Sequence, residues 1–326
     1  MKKSDPARAI IEWQKQFGRH DLPWQQTTEP YPRWVAEIML QQTQVKTVIP
    51  YYLKFMSRFP TVKALAKADR EEVFQLWAGL GYYSRAENLH RCAQEVAERY
   101  NGVFPTEISD LVTLSGIGRS TAGAIRSACT DIPSPILDGN VKRVLSRLLL
   151  IGDGLSASAL DKKLWLAAEE IQPKEEGRAY AQAMMDLGAT VCVRNRPRCE
   201  VCPLQKMCRA CAEGLQESYP PKKKRAPVPE EPIHMLIYVR DGKVLLIKRE
   251  SRYWKNLWVL PEAQVLPSDA RECGFITHRL THLKLMISLS TVPLSSPPEG
   301  RWFTLEELTN AAVATPLKTF LLEFLA

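Results

Sequence analysis

Over the first two-thirds of the chain, apolar side chains recur every three or four positions. "DREEVFQLWAGL", "RAENLHRCAQEVAERY" and "DKKLWLAAEEIQ" each set an apolar stripe against charged positions, the signature of amphipathic helices. Breaks at Pro60, at Gly79 to Gly81, at Gly102 to Pro105 and at Pro133 to Pro135 punctuate the pattern. Residues 1–213 are therefore predicted to form an all-α domain. The stretch "GLQESYPPKKKRAPVPEEP" (214–232) then carries five prolines, a "KKKR" run and few apolar residues, which predicts a semi-extended linker. Its basic run could meet phosphates or simply water. From residue 233 to 326 the pattern becomes strand-like. "IHMLIYV" and "KVLLIKR" flank Arg240-Asp241-Gly242, a hairpin signal, and "HLKLMISLSTV" is a further strand. "TLEELTN" and "PLKTFLLEFLA" close the chain as helices, so the expected second domain is a smaller α+β unit.

A length of 326 residues agrees with two domains, because single cores stop growing near ~250–300 residues. The formal charge of +8 favours a polyanionic partner. No apolar run approaches the ~18 residues of a membrane span, and the two N-terminal lysines precede no apolar signal region. An intracellular, cytoplasmic protein is expected. Of eight cysteines, Cys92, Cys129 and Cys273 stand alone, whereas Cys192, Cys199, Cys202, Cys208 and Cys211 crowd together. In a reducing compartment that crowding suggests metal rather than disulfides. Cys192, Cys199, Cys202 and Cys208 follow C-x6-C-x2-C-x5-C, a thiolate set suited to a 4Fe-4S cluster or to structural zinc. Cys199, Cys202, Cys208 and Cys211 form a rival, zinc-like set. Arg194, Arg196, Arg198, Lys206 and Arg209 surround either choice with positive charge.

Four further stretches carry candidate chemistry. In "RWVAEIMLQQTQV" (33–45), Glu37 shares a helical stripe with Trp34, Gln41 and Gln44 among large apolar neighbours. It is either a buried working acid or the wet side of an ordinary helix. In "SPILDGNVKRVLSRLL" (134–149), Asp138 stands at a helix start, where it could cap. Asn140 could cap instead and free Asp138 for catalysis, with Lys142 and Arg143 adding charge nearby. "LVTLSGIGRSTAGAI" (111–125) runs through Gly116 and Gly118 into a helix opened by Ser120 and Thr121, a turn between packed helices or an anion site for a backbone phosphate. "LWAGLGYYSRAENL" (76–89) presents Tyr82 and Tyr83 after a glycine turn, where an aromatic could wedge between bases or pack in the core.

Taken in order, "EIMLQQTQV", "GLGYYSRA", "LSGIGRSTAGAI", "ILDGNVKRV" and the cysteine loop resemble MutY-type adenine DNA glycosylases of the helix-hairpin-helix superfamily. The resemblance is dense over residues 1–213 and thinner beyond. It implies excision of adenine mispaired with 8-oxoguanine or guanine in double-stranded DNA, by a monomer, associated with the nucleoid. Glu37 then matches the general acid, Asp138 the carboxylate that stabilises the sugar cation, and Asn140 its orienting partner. Gln42, Thr43, Leu80 and Tyr82 match lesion-contacting residues, Gly116 and Gly118 the phosphate-holding hairpin, and Trp24 a wall of the adenine pocket. Ser120 and Lys142 lie on the same DNA-facing elements. Cys192, Cys199, Cys202 and Cys208 match the ligands of a 4Fe-4S cluster, which favours iron–sulfur over zinc.

The resemblance extends to a C-terminal Nudix-like lesion-recognition domain over 233–326. "YWKNLWVLPEA" resembles its Trp-Pro segment, and Leu280-Thr281-His282 its Phe-Ser-His motif, keeping hydroxyl and imidazole but losing the aromatic. Thr281 and His282 are thus expected lesion contacts, although His282 could equally be a histidine on a strand face. Endonuclease III-type enzymes have a Schiff-base lysine in "GRKTA", where this chain has Ser120, so monofunctional chemistry is expected. Ser115 replaces a usual proline. Two other classes compete. A Nudix pyrophosphohydrolase needs clustered carboxylates, which Arg271-Glu272 only faintly echoes, and a non-catalytic DNA-binding module would not need both Glu37 and Asp138.

Overall fold

The computed structural model describes residues 5–221, 227–250 and 252–326, so the "KKKR" run lies outside the described residues. The chain divides into two compact units: one runs to Lys67 and again from Asn88 to Lys224, the other joins Ala68–Glu87 to the chain from Arg225 onward. No helix among the described residues is long and apolar enough to cross a membrane.

The first unit is helical. Asp5 caps the helix Pro6–Phe17 by accepting the Ala7 N–H at 3.0 Å, with proline at the first helical position, where its missing N–H costs nothing. Ala7, Ile10, Ile11 and Gln14 form the buried stripe. Helix Pro30–Leu40 buries Trp34, Val35, Ala36, Ile38 and Met39, so it is nearly surrounded by protein. Helices Gly139–Leu149, Ala157–Glu170 and Gly177–Thr190 close around a core that includes Ile10, Leu137, Val144, Leu145, Leu164, Met184 and Leu187. The stretch expected to be a linker starts out folded in this unit: Tyr219 is buried, and its carbonyl accepts from Arg147 Nε at 2.9 Å.

The second unit contains the strands. These are β1 Glu230–Ile237, β2 Val239–Arg240, β3 Lys243–Lys248, β4 Trp258–Val259, β5 Glu262–Ala263, β6 Arg271–Arg279, β7 Lys284–Thr291 and β8 Arg301–Phe303. One sheet has the order β5-β1-β7-β6; the other runs β2-β3-β4, with β8 also on β3. The sequence signal at Asp241-Gly242 does make a hairpin, since both residues have positive φ (51° and 69°), but it joins only the two residues of β2 to β3. The long run β1 instead pairs parallel with β7, from Glu230↔Lys284 to Ile237↔Thr291. It therefore begins three residues inside the expected linker. Strand β6 was not expected; it carries Arg271 and Glu272 on an extended segment. Thr304 and Glu307 form a reciprocal capping box on helix Leu305–Asn310.

The stretch Ala68–Glu87 packs within this second unit. The Glu71 carboxylate accepts from Trp258 Nε1 at 2.6 Å and Lys248 Nζ at 3.2 Å.

Candidate active site

Glu37 is carried by the buried helix Pro30–Leu40 and lines a cavity of ≈ 490 Å³, mouth included, with Trp24, Leu22, Leu40, Val45, Arg33, Arg178, Gln182 and Met185. Glu37 as a residue is partly buried. Burial, and then the nearby Asp138 carboxylate, push Glu37 up to about 7, while Arg33 pulls the other way. Trp24 is buried and edge-on to Tyr52, with ring centroids 5.3 Å apart. The fully buried Asp186 fixes two other wall residues. It accepts Arg19 Nε at 2.7 Å, the Arg19 backbone N–H at 2.9 Å and Gln182 Nε2 at 2.8 Å.

Sequence reasoning did not find Arg19, Arg33, Gln182, Met185 or Asp186. One signal was available: Gln182 and Asp186 stand four apart in an otherwise apolar helix, so they share a face. Arg33 likewise lies one helical turn before Glu37. Its Nε donates to the Thr27 carbonyl at 2.8 Å.

Of the two roles that the sequence set against each other, the structure shows the cap. Asp138 is the N-cap of Gly139–Leu149, Oδ1 accepting the Val141 N–H at 2.7 Å, while Oδ2 accepts Asn140 Nδ2 at 3.3 Å. Asn140 therefore does not replace it as the cap. Burial raises the Asp138 pKa, and the Val141 and Asn140 hydrogen bonds and the Arg143 charge oppose that rise. Asn140 is itself held: Arg143 donates to its Oδ1 at 2.8 Å and to the Gly188 carbonyl at 2.6 Å. Gly188 must be glycine, because a Cβ there would stand 2.5 Å from Asn140 Cβ. Ser120 Oγ accepts the Leu137 N–H at 2.9 Å, so it supports the segment that presents Asp138. Lys142 is ion-paired with Asp161.

The glycine turn before helix Arg119–Thr130 has Gly116 at φ 78°, where an added Cβ would meet Asn88 Cβ at 2.8 Å. Gly118 is the N-cap, has no side-chain cap bond and faces open space. Ser115 uses the N–H that a proline would lack, donating it to Glu95 at 2.8 Å.

Gln42 (φ 58°) in the first unit and Tyr82 (φ 49°) in the second each hold a left-handed backbone conformation, uncommon for residues with a Cβ. Gln42 is exposed and Thr43 partly buried. Tyr82 is 47% exposed, so the core-packing alternative fails for it, whereas Leu80 is buried. Tyr83 packs edge-on to Phe74. The Tyr82 hydroxyl shares a hydrogen bond with the Thr281 hydroxyl at 3.2 Å. Thr281 and His282 are exposed in the turn between β6 and β7, so His282 does not sit on a strand face.

Cys192, Cys199, Cys202, Cys208 and Cys211 line one cavity of ≈ 300 Å³ beside the buried Arg147. Among the described residues no group of three or more His, Cys, Asp or Glu side chains is placed so that it could hold a metal ion. Arg147 organises the loop by donating to the carbonyls of Val193 (2.7 Å) and Arg194 (2.9 Å) and to Cys192 Sγ (3.4 Å). Arg194, Arg196, Arg198, Lys206 and Arg209 are exposed around it.

Residues 35–170 match the HhH-GPD superfamily of base excision DNA repair proteins, and residues 233–323 match the NUDIX domain. The fold resembles that of a thermostable thymine-DNA glycosylase, with a TM-score of 0.58 and 27% identity over 64% of this chain and 95% of that one. It also resembles endonuclease III in a non-covalent DNA complex, with a TM-score of 0.55 and 23% identity over 64% of this chain and 95% of that one. An adenine DNA glycosylase of Buchnera aphidicola (from Acyrthosiphon pisum) is 42% identical over 78% of this chain and 73% of its own length. Another, from Buchnera aphidicola of Schizaphis graminum, is 34% identical over 97% of both chains. The Homo sapiens protein of the same name is 33% identical over 95% of this chain and 72% of its own. With a helical HhH-GPD domain followed by a Nudix-like domain, and relatives this similar along most of its length, the chain belongs to the adenine DNA glycosylase family.

Proposed function

We propose that the protein is a monofunctional glycosylase that hydrolyses the N-glycosidic bond of adenine mispaired with 8-oxoguanine or guanine in duplex DNA. The observation that carries this reading is the pair Glu37 and Asp138: two carboxyl groups close enough to interact, both pushed up by burial, with Asp138 also receiving hydrogen bonds that favour its charged form. Glu37, raised to about 7, holds a proton near neutral pH. It delivers that proton to N7 of an adenine extruded into the cavity against Trp24, so that a neutral base departs. Asp138, whose charged form the Val141 N–H and Asn140 Nδ2 bonds favour against the effect of burial, serves as the carboxylate that stabilises the sugar cation. Asn140, braced by Arg143 and Gly188, orients that carboxylate and the attacking water.

The remaining site assignments follow the same reading. Helix Arg119–Thr130 begins at Gly118 without a side-chain cap, leaving N–H groups for a DNA phosphate beside Gly116, Ser120 and Lys142. Gln42 and Thr43 in the first unit, and Leu80, Tyr82, Thr281 and His282 in the second, are assigned to contacts with 8-oxoguanine or its surroundings on the same reading. Cys192, Cys199, Cys202 and Cys208 hold a 4Fe-4S cluster. Support comes from the chemistry of four soft thiols that line one cavity. When bound, it cross-links the loop that presents the exposed arginines.

Ser120 lacks the amine a lyase needs, and its hydroxyl already accepts the Leu137 N–H. The test is to incubate the full chain with duplexes carrying A:8-oxoguanine, A:G and A:T, then add alkali or borohydride. Cleavage at the mispaired adenine that depends on alkali, without a borohydride-trapped adduct, is expected. No adenine release from any mispair overturns the glycosylase reading. Trapping as efficient as with an endonuclease III control overturns monofunctionality.

A further inference from the structure

Next to the cavity that Glu37 lines is a second one, ≈ 830 Å³ with its mouth included, within the same unit. Arg33, Arg178 and Gln182 line both cavities and so form a partition between them. Each is pinned by a hydrogen bond. Arg33 Nε donates to the Thr27 carbonyl at 2.8 Å, Arg178 Nε to the Ala128 carbonyl at 2.7 Å, and Gln182 Nε2 to Asp186 at 2.8 Å. Gln26, Asp131 and Glu176, also in the lining, are exposed, so this cavity has an opening of its own to solvent.

The second cavity is rich in carboxamides: Gln14, Gln25 and Gln26 join Gln182 there. Gln14 is the informative one. It is only 6% exposed, and the bonds it receives, from the Gly18 N–H at 2.8 Å and at 3.0 Å from His20 Nε2, both end on its backbone carbonyl. Its side-chain amide has no hydrogen-bond partner among the described residues. Gly18 makes room for that amide, because a Cβ there would stand 2.6 Å from Gln14 Nε2. Buried polar groups are ordinarily bonded, so an amide left unbonded at a cavity wall is placed for a ligand. The lining sets the guanidinium groups of Arg33 and Arg178 against the carboxylates of Asp131 and Glu176. An anion or a cation would each meet like charge, which favours a neutral ligand. A carboxamide offers a donor and an acceptor side by side, the complement of N6 and N7 of adenine.

We propose that this cavity is a second, non-catalytic site for free adenine, beside the one in which the base is released. The proposal rests on the glycosylase reading above, since that reaction delivers the ligand to the partition. Binding here makes and breaks no covalent bond; it takes the free base away from the sugar it has left.

The test uses the full chain bound to a duplex with 2′-fluorodeoxyadenosine opposite 8-oxoguanine. Fluorine disfavours the sugar cation, so the base stays attached and keeps the Glu37 cavity filled. Equilibrium dialysis then measures labelled adenine bound to the complex. About one adenine per chain is expected, undiminished by an excess of inorganic phosphate. Gln14→Leu keeps the bulk and removes the amide, and is expected to weaken this binding about fivefold or more. Because Gln14 is buried, Gln26→Ala at the exposed rim serves as a second variant, with a loss of about threefold. Both variants are expected to keep the wild-type single-turnover release of adenine from A:8-oxoguanine. No adenine bound beside the filled Glu37 cavity overturns the proposal. Displacement by phosphate, or wild-type affinity in both variants, does so too. Normal adenine release by a chain that shows no second binding removes this site and leaves the glycosylase reading standing; no release from any mispair removes both.

Discussion

The indole N–H of Trp258 donates to the carboxylate of Glu71 over 2.6 Å, across 187 residues of sequence. Lys248 reaches the same carboxylate at 3.2 Å and lies over the Trp258 ring at 4.5 Å. A hydrogen bond to a charged acceptor is worth ~1.5–3 kcal/mol when dry, and the partial exposure of this one reduces it. Trp258→Phe and Glu71→Ala are each expected to cost ~1–2 kcal/mol in denaturant unfolding, with a coupling near ~1 kcal/mol in the double-mutant cycle. Additive effects would show that the pair does not cooperate.

Glu37 links activity to stability with opposite signs. Its pKa rises from 4.5 to about 7 on folding. Below about pH 4.5 both states hold the proton and nothing is lost. As pH rises towards 7 the unfolded chain releases it first, so stability falls by ~3 kcal/mol and then levels off. Glu37→Gln carries no such charge. It is expected to lose ~10²–10⁴-fold or more in activity, yet to melt above wild type at pH 8, with the gap closing by pH 4.5. For wild type, kcat/KM falls about tenfold per pH unit above pH 7 as the acid form is depleted. A flat profile from pH 6 to 9 would remove Glu37 as the acid.

Asp138→Asn separates the cap from the chemistry. Asparagine caps helices about as well as aspartate, so unfolding free energy should change by less than ~1 kcal/mol. Removing the anion should lower single-turnover adenine release by ~10²-fold or more. Equal losses in stability and rate would make the residue a cap alone.

Tyr82→Phe and Thr281→Ala each remove one hydroxyl of the 3.2 Å pair. Both side chains are exposed, so stability should stay within ~0.5 kcal/mol. The expected change is a several-fold drop in preference for A:8-oxoguanine over A:G, of the same size in either single variant and in the double. Additive losses would mean that the two hydroxyls act separately.

Glu37 and Asp138 were legible because each breaks a local pattern: an acid inside a buried helix stripe and an acid at a helix start. The cysteine spacing was legible for the same reason. Asp186 was not, because its meaning depends on Arg19, 167 residues away. The parallel pairing of β1 with β7 was hidden too, since an apolar run does not name its partner, and the hairpin signal pointed to β3 instead. Strand β6 escaped because its face is largely exposed, leaving little apolar alternation to read. The membership of Ala68–Glu87 could not be inferred either: its helical period says nothing about which core receives it.

That last feature bears on how such chains can be recombined. Exchanging everything after residue 232 for the equivalent half of a relative would transplant Trp258, Lys248 and Thr281 but leave Glu71 and Tyr82 behind. The heritable module is split in sequence and continuous in space, so a working chimera must carry the twenty or so residues around Glu71 as part of the graft.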